Sequence, residues 1–443
     1  MVAKLIARKL PLALAAAGML LGADASALSL MQAYEAALQH DPTYLSSYYN
    51  AEGGKENRIL GRSALLPSIS GNYSKTQNRN TEIYYSGAKD PQDYQSMNAT
   101  LQVRQTVFSL DAWARYKQGA AQSEQAQAQF ASATQEMILR VVTAYLDALL
   151  KEDQVALTRA ERDMYVEQIK VNELLFKKGE GTSTDVLETR SRLDLAEAQV
   201  LEAQDDLLTA KDTLASLVGG DVSALDHLRP GFHVSNDDMK PYEEWKQTAL
   251  EQNPDILALT KGVEVARQEY NKQRAGHTPR VDLIGTYGKS GSETTSTIND
   301  DFKIRSIGFQ VTVPIYQGGA ISASARQAAA GQEKARQDLE AQREKDLVEL
   351  RRNYNQVASS VSRINALDRA VESANLLITA TEKSIKGGVR INLDLLTAQR
   401  QLYTAKRDLA QARYNYMVAA LRLRAAAGTL SGEDVRLLSA RFE

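Results

Sequence analysis

Few residues in this chain are of a type and spacing that could carry out catalysis. The sequence has no cysteine and four histidines, and the nearest pair of these, His227 and His233, lies beside Asp226 in a loop with proline and glycine. Two carboxylate pairs, Asp205-Asp206 and Asp237-Asp238, have no His, Ser or Cys placed to act as a catalytic partner. The G-x-x-x-x-G-K-S/T sequence that binds nucleoside triphosphates is absent. We therefore expect that the protein is not an enzyme and that it holds no metal ion or organic cofactor.

The composition favours a long helical protein with a nearly balanced charge. The chain has 443 residues and nine prolines, and Leu, Ala, Glu, Gln, Arg and Lys are abundant. Its 53 basic and 55 acidic residues give a formal net charge of −2. This balance removes the electrostatic case for nucleic acid as a partner.

The N-terminal residues 1–27 have the features of a secretory signal peptide. Three basic residues lie within positions 4–9, an apolar run follows at 10–21, and Ala25-Ser26-Ala27 forms a small-residue cleavage site. We expect cleavage before Leu28. No later apolar run approaches the roughly 18 residues that a membrane-spanning helix requires. The mature protein is therefore expected to leave the cytoplasm and to enter a membrane only through β-strands.

A heptad repeat runs through residues 392–427 and positions the final helix. Large side chains recur at every seventh residue and alanines recur three residues after each of them, at Leu395, Leu402, Leu409, Tyr416 and Leu423 and at Ala398, Ala405, Ala412, Ala419 and Ala426. The same register occurs in the first half of the chain, at Val186, Leu193, Val200, Leu207 and Leu214 and at Thr189, Ala196, Ala203, Ala210 and Leu217. Both seams predict coiled-coil helices that pack closely, and their recurrence indicates an internal duplication.

The second half of the chain repeats the order of the first. The first repeat, residues 28–240, comprises a helix, strands at about 68–76 and 94–108, a long helix at about 110–178, a helix at about 184–218 and a loop. The second repeat, residues 241–443, comprises a helix, strands at about 280–289 and 303–316, a long helix at about 318–386, a helix at about 392–427 and a polar tail. Each long helix would span about 105 Å, so we expect the shorter helices of a repeat to stack end to end along it.

The predicted strands alternate between apolar and polar residues, which gives each strand one face of each kind. The polar face of the first pair is expected to carry Asn72, Gln95, Asn98, Gln102 and Arg104. The polar segment 77–93 between these two strands indicates an exposed hairpin loop. In the fourth strand Phe302 and Ile304 are out of phase with the rest, so we expect either a bulge near Arg305-Ser306 or a later start.

The apolar strand faces have no neighbouring helix in the sequence to cover them. Four strands are too few to close a barrel, so closure would need two, three or four copies with eight, twelve or sixteen strands. In a secreted chain such strands favour a membrane barrel with a water-filled interior. A soluble β-sandwich and a purely structural coiled coil are the alternatives on these patterns alone.

The final helix carries residues by which the chain resembles the TolC family of outer-membrane efflux and secretion ducts. Residues 402–430, LYTAKRDLAQARYNYMVAALRLRAAAGTL, are similar to the last helix of that family, and the turns at Thr184-Asp185-Val186 and Gly388-Val389-Arg390 also fit. The resemblance implies a mostly α-helical, internally duplicated protomer with four β-strands that forms a homotrimer. Twelve strands would make a barrel in outer-membrane lipid of a Gram-negative cell, continued by a periplasmic α-helical barrel of long coiled-coil helices.

The same resemblance implies roles for residues at the two helix turns. Asp185 and Arg390 match positions at which the family closes the periplasmic end of its tunnel through polar contacts. Asp394 matches a ring of carboxylates at the aperture, which would favour cations. Ile385 and Thr397 depart from the family pattern, which often has a tyrosine at the first position and can have an acidic residue at the second. Helix capping is an equally good explanation for Asp185 and Asp394.

The turns are also the docking sites that the resemblance implies for a periplasmic membrane-fusion adaptor. The residues concerned are Gly179, Gly181, Thr184, Gly387 and Gly388. The adaptor would connect the duct to an inner-membrane ABC transporter or to another efflux pump. From the sequence alone, Thr184 or Asp185 is the expected N-cap of the helix that follows the first turn.

Two features resemble the branch of the family that serves type I protein secretion, such as alkaline protease export. The chain has no cysteine for the N-terminal lipid anchor that is common among drug-efflux ducts, and residues 61–67 precede the first strand as GRSALLP. The expected function is passive conduction of a protein substrate from an inner-membrane ATPase and adaptor to the exterior. A multidrug or metal efflux duct is the first alternative, and a periplasmic coiled-coil adaptor or scaffold is the second.

Overall fold

The structure is a computed structural model that describes residues 27–229, 239–292, 300–387 and 389–443. Its first half contains, in order, α1 (Leu30–His40), α2 (Pro42–Ser63), β1 (Ser68–Ile83), β2 (Lys89–Phe108), α3 (Leu110–Lys178) and α4 (Ser183–Val218). Its second half contains α5 (Tyr242–Gln252), α6 (Pro254–Arg274), β3 (Arg280–Ser292), β4 (Asp301–Thr312), α7 (Ala320–Lys386), α8 (Asn392–Ala426) and α9 (Gly432–Ser439). The predicted signal peptide, apart from Ala27, lies outside the described residues.

Each half begins with two helices that are divided at a proline. Asp41 caps α2, and its Oδ1 accepts a hydrogen bond from Thr43 N at 2.9 Å. Asn253 caps α6 in the same way and accepts from Asp255 N at 2.9 Å. Proline at the first helical position lacks only an N–H that would have no partner inside the helix, so it starts each second helix without losing a hydrogen bond.

The long helices α3 and α7 are the scaffold on which the shorter helices stack. With 69 residues, α3 is about 100 Å long. α2 packs on its first part, where Gly54 lies against Ala126, and α4 packs on its last part, where Asn172 contacts Thr189. α7 packs in the same manner against α6 and α8. The stacking expected from the helix lengths is therefore present in both halves.

The four strands form one antiparallel sheet in the order β1-β2-β3-β4. Pairing between β2 and β3 joins the two halves of the chain side by side. The register places Ile69, Val103, Gly285 and Ile307 next to one another in a row across the sheet. β1 and β4 are the edge strands, and nearly all of their residues are exposed. Each edge therefore has one side that is unpaired within the described part of the chain.

The first hairpin is longer than the predicted strands at 68–76 and 94–108. Residues 77–83 pair with 89–95, so most of the expected loop at 77–93 is strand. Polar side chains stabilise this extension across the hairpin, since Arg79 Nε lies 3.0 Å from Asp93 Oδ2 and Asn80 Nδ2 donates to Tyr94 OH at 3.2 Å. Both faces are polar here, and a strand without alternating polarity gives no period-two signal in the sequence.

The fourth strand has neither the expected bulge near Arg305-Ser306 nor a later start. β4 begins earlier than predicted and pairs with β3 in unbroken register. Phe302 and Ile304 consequently lie on the opposite face of the sheet from Ile307. The irregular pairing occurs in β2 instead, at residues 106–108 where it faces β3.

The largest hydrophobic core forms where α1, α3, α4 and α8 meet the end of the chain. Tyr145 of α3 is fully buried in it and donates a hydrogen bond to Leu28 O at 2.8 Å. The segment after residue 430, expected to be a polar tail, contributes Val435, Leu438 and Phe442 to this core. Val435 and Leu438 of α9 share one buried face, whereas Arg436 and Leu437 between them are exposed. A short amphipathic helix therefore lies within a segment of mostly polar composition.

Candidate functional site

The first helix turn, between α3 and α4, is closed by glycine and a capping box. Gly179 adopts a φ of 78°, a left-handed conformation that favours glycine, and Gly181 packs against the last turn of α3. Thr182 Oγ1 accepts from Asp185 N at 3.1 Å, and Asp185 Oδ2 accepts from Thr182 N at 3.1 Å. The N-cap is therefore Thr182 rather than Thr184 or Asp185, because the aspartate serves as the third helical residue of the box.

The second helix turn, between α7 and α8, is built without a side-chain cap. Gly387 N donates to Lys383 O at 3.1 Å where α7 ends, and Gly388 lies outside the described residues. Ile391 occupies the N-cap position of α8 and offers no side-chain hydrogen bond. Asp394 lies within the first turn of α8, where the positive end of the helix dipole favours a carboxylate. Asp394 is thus not the cap of α8.

The predicted gate residues have separate partners within one protomer. Asp185 is held by Thr182, whereas Arg390 Nη1 lies 3.4 Å from Thr381 Oγ1 on α7. Among the described residues, no ion pair joins Asp185 to Arg390. Arg390 is exposed, and Asp185 and Asp394 are half-buried, so all three remain accessible to a neighbouring protomer or to ions. Their roles at a gate stay a prediction.

A buried polar network next to these turns was not predicted from the sequence. Asn172 of α3 donates to Thr189 Oγ1 of α4 at 2.8 Å, and Thr189 Oγ1 donates to Asp185 O at 2.8 Å. Asn392 of α8 lies 3.5 Å from Thr189 Oγ1 through its Nδ2, and its Oδ1 accepts from Gln168 Nε2 of α3 at 2.9 Å. We call these four side chains, Gln168, Asn172, Thr189 and Asn392, the tip network. It ties the α3/α4 hairpin to the start of α8.

The sequence did contain one signal of the tip network. Thr189 stands on the seam row that alanine occupies at three of the following four positions in α4. A hydroxyl buried in a coiled-coil seam requires a hydrogen-bond partner, so a polar seam residue marks such a network. Its partners are distant in the chain and come from α3 and α8, which is why the sequence could not identify them.

The sheet carries large apolar side chains on one face. Ile307 and Phe309 of β4 are 79% and 72% exposed, and they share this face with Ile69 and Leu101. Apolar residues exposed over an area of this kind mark a surface that an assembly or a lipid phase covers. None of the described helices is long and apolar enough to cross a membrane.

The opposite face of the sheet carries most of the polar side chains, together with Phe302 and Ile304 of β4, and it has one exception to the prediction. Asn72, Asn98, Gln102 and Arg104 share this face, as expected from their alternation. Gln95 lies on the apolar side, because it is an odd number of residues from Asn98 and successive side chains of a strand alternate.

Two of the residues considered above as catalytic candidates contact charged side chains of a neighbouring helix. Asp206 Oδ2 accepts from Lys151 Nζ at 2.6 Å, which joins α4 to α3. His227 Nε2 lies 3.6 Å from Glu152 Oε2. Across the described ranges, no three His, Cys, Asp or Glu residues are grouped so as to hold a metal ion. His233 and Asp237-Asp238 lie outside those ranges.

Proteins of known identity are similar to this chain over nearly its whole length. It is 39% identical to the alkaline protease secretion protein AprF of Pseudomonas aeruginosa, over 96% of this chain and 89% of AprF. It is 34% identical to the proteases secretion protein PrtF of Dickeya chrysanthemi, over 95% of this chain and 93% of PrtF. Outer membrane protein TolC of Vibrio cholerae is 29% identical, over 96% of each chain.

A solved structure has the same fold. The crystal structure of the outer membrane protein VceC from Vibrio cholerae superposes with a TM-score of 0.78 at 20% identity, covering 90% of this chain and 96% of VceC. This likeness, with the family match below, confirms the predicted fold class of a duplicated protomer from a trimeric barrel and helical tunnel. The alternative of a periplasmic scaffold without a barrel is wrong, because the relatives are outer membrane proteins.

The family assignment rests on two separate matches within the chain. The profile described as "Outer membrane efflux protein" matches residues 33–220 and again residues 245–429. Together these stretches cover most of the chain, and each contains one long helix and the helix that returns from it. The chain therefore belongs to the outer membrane efflux protein family, the family of TolC, and is an outer-membrane protein with a large periplasmic part.

Proposed function

We propose that this chain is the outer-membrane duct of a type I secretion system and passively conducts a protein substrate to the cell exterior. AprF and PrtF, with which it shares 39% and 34% of aligned residues, are named for protease secretion. A secreted protease is therefore the substrate class that we propose. The energy for transport comes from an inner-membrane ATPase, since the chain lacks a nucleotide-binding sequence.

The observation that carries this proposal is the four-stranded sheet, which has an exposed apolar face and two edges left unpaired by the residues that the structure describes. A lone open sheet with such edges would aggregate, and pairing β1 of one copy with β4 of the next removes both edges. Three copies give twelve strands around a pore wide enough for water. The polar face, with Asn72, Asn98 and Gln102, would then line the pore, and the apolar face would meet lipid.

The helix turns are the proposed periplasmic end of this duct. We assign Asp185 and Arg390 to contacts between neighbouring turns and Asp394 to a ring of three carboxylates at the aperture. The adaptor would dock on the turns at Gly179, Gly181, Thr184, Gly387 and Gly388. An inner-membrane ABC transporter would join the complex through that adaptor, and the residue divisions 28–240 and 241–443 would be the two structural repeats of each protomer.

Deleting the gene tests the proposed substrate class. Proteins in the culture medium are measured by mass spectrometry, and drug susceptibility is measured on the same strains, with a plasmid copy of the gene as the control. We expect secreted protease to disappear and susceptibility to stay unchanged. Unchanged secretion together with lost drug resistance would reject the secretion duct and favour efflux.

A drug or metal efflux duct is the second candidate function. The family description names efflux, and TolC of Vibrio cholerae is 29% identical over nearly the full chain. The higher identity to AprF and PrtF is the reason for placing efflux second.

A further inference from the structure

Asp346 of α7 is a buried carboxyl group that forms no ion pair with any residue that the structure describes. Its side chain is 7% exposed, and Gln342 Nε2 donates to its Oδ1 at 2.8 Å. Its Oδ2 is buried and has no hydrogen-bond partner among the described residues. A buried ionised carboxylate with an unpaired oxygen is costly, whereas the protonated form is neutral and carries a donor.

Asp346 lies where two stacked helices meet along α7, so the cost of burying its charge affects how these helices pack. Asp346, Leu350, Asn353 and Val357 are buried at spacings of four and three, so they lie on one face of α7. That face packs where the stacked helices meet: Leu350 and Val357 share a core with residues of α5 and α8. Asp346 therefore lies beside the joint at which α7 passes from one stacked helix to the next.

The equivalent joint in the first half of the chain is chemically different. There the cap residue Asp41 is buried and forms an ion pair with Arg140 of the long helix α3. In the second half the cap is the neutral Asn253, whose Nδ2 donates to Ala426 O at 3.0 Å, and the long helix carries Asp346. The first joint has a carboxylate matched by arginine, and the second has a carboxylate without an ion-pair partner in the described chain.

We propose that Asp346 makes this joint, where α7 passes from α6 to α8, responsive to pH, so that a bound proton tightens it and loss of that proton loosens it. The charged groups that act on Asp346 are Asp255 of α6 and, on α7 itself, Lys345 and Glu349. Two of these three are carboxylates, and the cation is on the same helix. The loosened state would let the α7/α8 hairpin move relative to α6. This inference concerns the joint and does not depend on which substrate the duct carries.

The direction of the pH effect follows from the environment of this carboxyl group. Burial, and then the negative charge of Asp255, raise the pKa of Asp346 from 3.8 to about 6. A raised folded-state pKa gives stability that is complete below 3.8 and is lost as the pH rises through about 6. The joint is thus tight in acid and looser at neutral pH.

Hydrogen exchange of the detergent-solubilised full-length trimer tests the proposal. Asp346→Asn is compared with wild type at the same pH, so that the chemical exchange rate cancels, over peptides spanning 248–260 and 343–357. At pH 7.5 we expect exchange in the variant to be several-fold slower, and we expect the difference to shrink toward none at pH 4.5. Asp338→Asn, an exposed position on α7 where the carboxylate bonds Lys334 at 2.6 Å, is the matched control.

A second variant keeps the test decisive if Asp346→Asn does not assemble. Asp255→Asn removes the neighbouring charge, so the pH at which the joint loosens should move lower while the transition persists. Equal behaviour of Asp346→Asn and Asp338→Asn at every pH would overturn the proposal. The proposal would also be overturned if exchange in Asp346→Asn were slower than in wild type by the same factor at pH 4.5 and at pH 7.5. The same holds if Asp255→Asn left the pH of the transition unchanged.

Discussion

Thr189 of α4 is the residue at which three helices are connected near the candidate gate. Asn172 of α3, which is 4% exposed, donates to its hydroxyl, and Asn392 of α8 reaches the same hydroxyl. A buried network of this kind is costly to leave half satisfied, because each unpaired group loses its water without gaining a partner. At the residue scale, the tip network therefore holds the two hairpins of a protomer together.

Replacing Asn172 by alanine should loosen the tip. The change removes the nearer of the two donors to Thr189 Oγ1, the one at 2.8 Å, and should cost about 1–2 kcal/mol of the free energy that holds the hairpins together. In planar bilayers we expect more frequent and larger openings than in wild type. Asn415→Ala is the control, because Asn415 is exposed on α8 and accepts one bond from Gln411. Identical opening statistics for wild type and Asn172→Ala would show that the network plays no part in closing the tip.

Replacing Asp394 by alanine should weaken cation selectivity. Three copies of this half-buried carboxylate near one axis would attract cations and repel anions, and the variant removes all three charges at once. The reversal potential under a salt gradient measures the effect. Asp212→Ala, an exposed carboxylate far along α4 from the turn, should leave the reversal potential unchanged. Unaltered selectivity in Asp394→Ala would remove this residue from the aperture.

At the scale of elements, the contact between α2 and α3 depends on glycine. A Cβ added to Gly54 would lie 2.3 Å from Ala126 Cβ, whereas a Cβ added to the adjacent Gly53 would meet nothing within 4 Å. Gly119 and Gly61 allow a second close approach further along the same pair of helices. The two backbones are therefore closer here than any other residue would permit.

Alanine at Gly54 and at Gly53 should have opposite effects on stability. Gly54→Ala forces the helices apart and should destabilise the protein by about 1–3 kcal/mol. Gly53→Ala removes backbone freedom from an exposed helix position and should stabilise it by about 0.5–1 kcal/mol. The midpoint of thermal unfolding of the purified trimer measures both. A Gly54→Ala protein that melts at or above the wild-type temperature would contradict the close packing.

The long elements could be predicted from the sequence to within a few residues because their seams repeat over many heptads. The bounds of α4 and α8, Ser183–Val218 and Asn392–Ala426, follow such seams. The extension of the β1–β2 hairpin through Arg79 and Asp93 could not be predicted, since polarity on both faces hides a strand. The cap at Thr182 was missed because several neighbouring residues can cap a helix.

The functional residues were less predictable than the elements. Asp185, Arg390 and Asp394 were assigned to the gate by family resemblance. Their contacts with neighbouring protomers could not be predicted, because these contacts involve more than one copy of the chain. The tip network and Asp346 depend on side chains that meet only after folding, so no local pattern encodes their partners.

At the scale of the whole molecule, the apolar face of the sheet should require a lipid phase. Ile307 and its neighbour Ser306 point to opposite faces of β4, and both are exposed in the protomer. Ile307→Lys places a charge against lipid and should cost up to about 2–4 kcal/mol, which lowers the yield of trimer in the outer-membrane fraction. Ser306→Lys faces the pore and should assemble normally. Equal yields of the two variants would contradict the assigned orientation of the sheet.

Conductance of the purified protein in planar lipid bilayers is the most direct test of a trimeric duct. We predict that membrane-inserted trimers form long-lived, cation-selective pores in the absence of any nucleotide or partner. Trimers that insert but carry no current, under voltage and after the tip is loosened by Asn172→Ala, would contradict it.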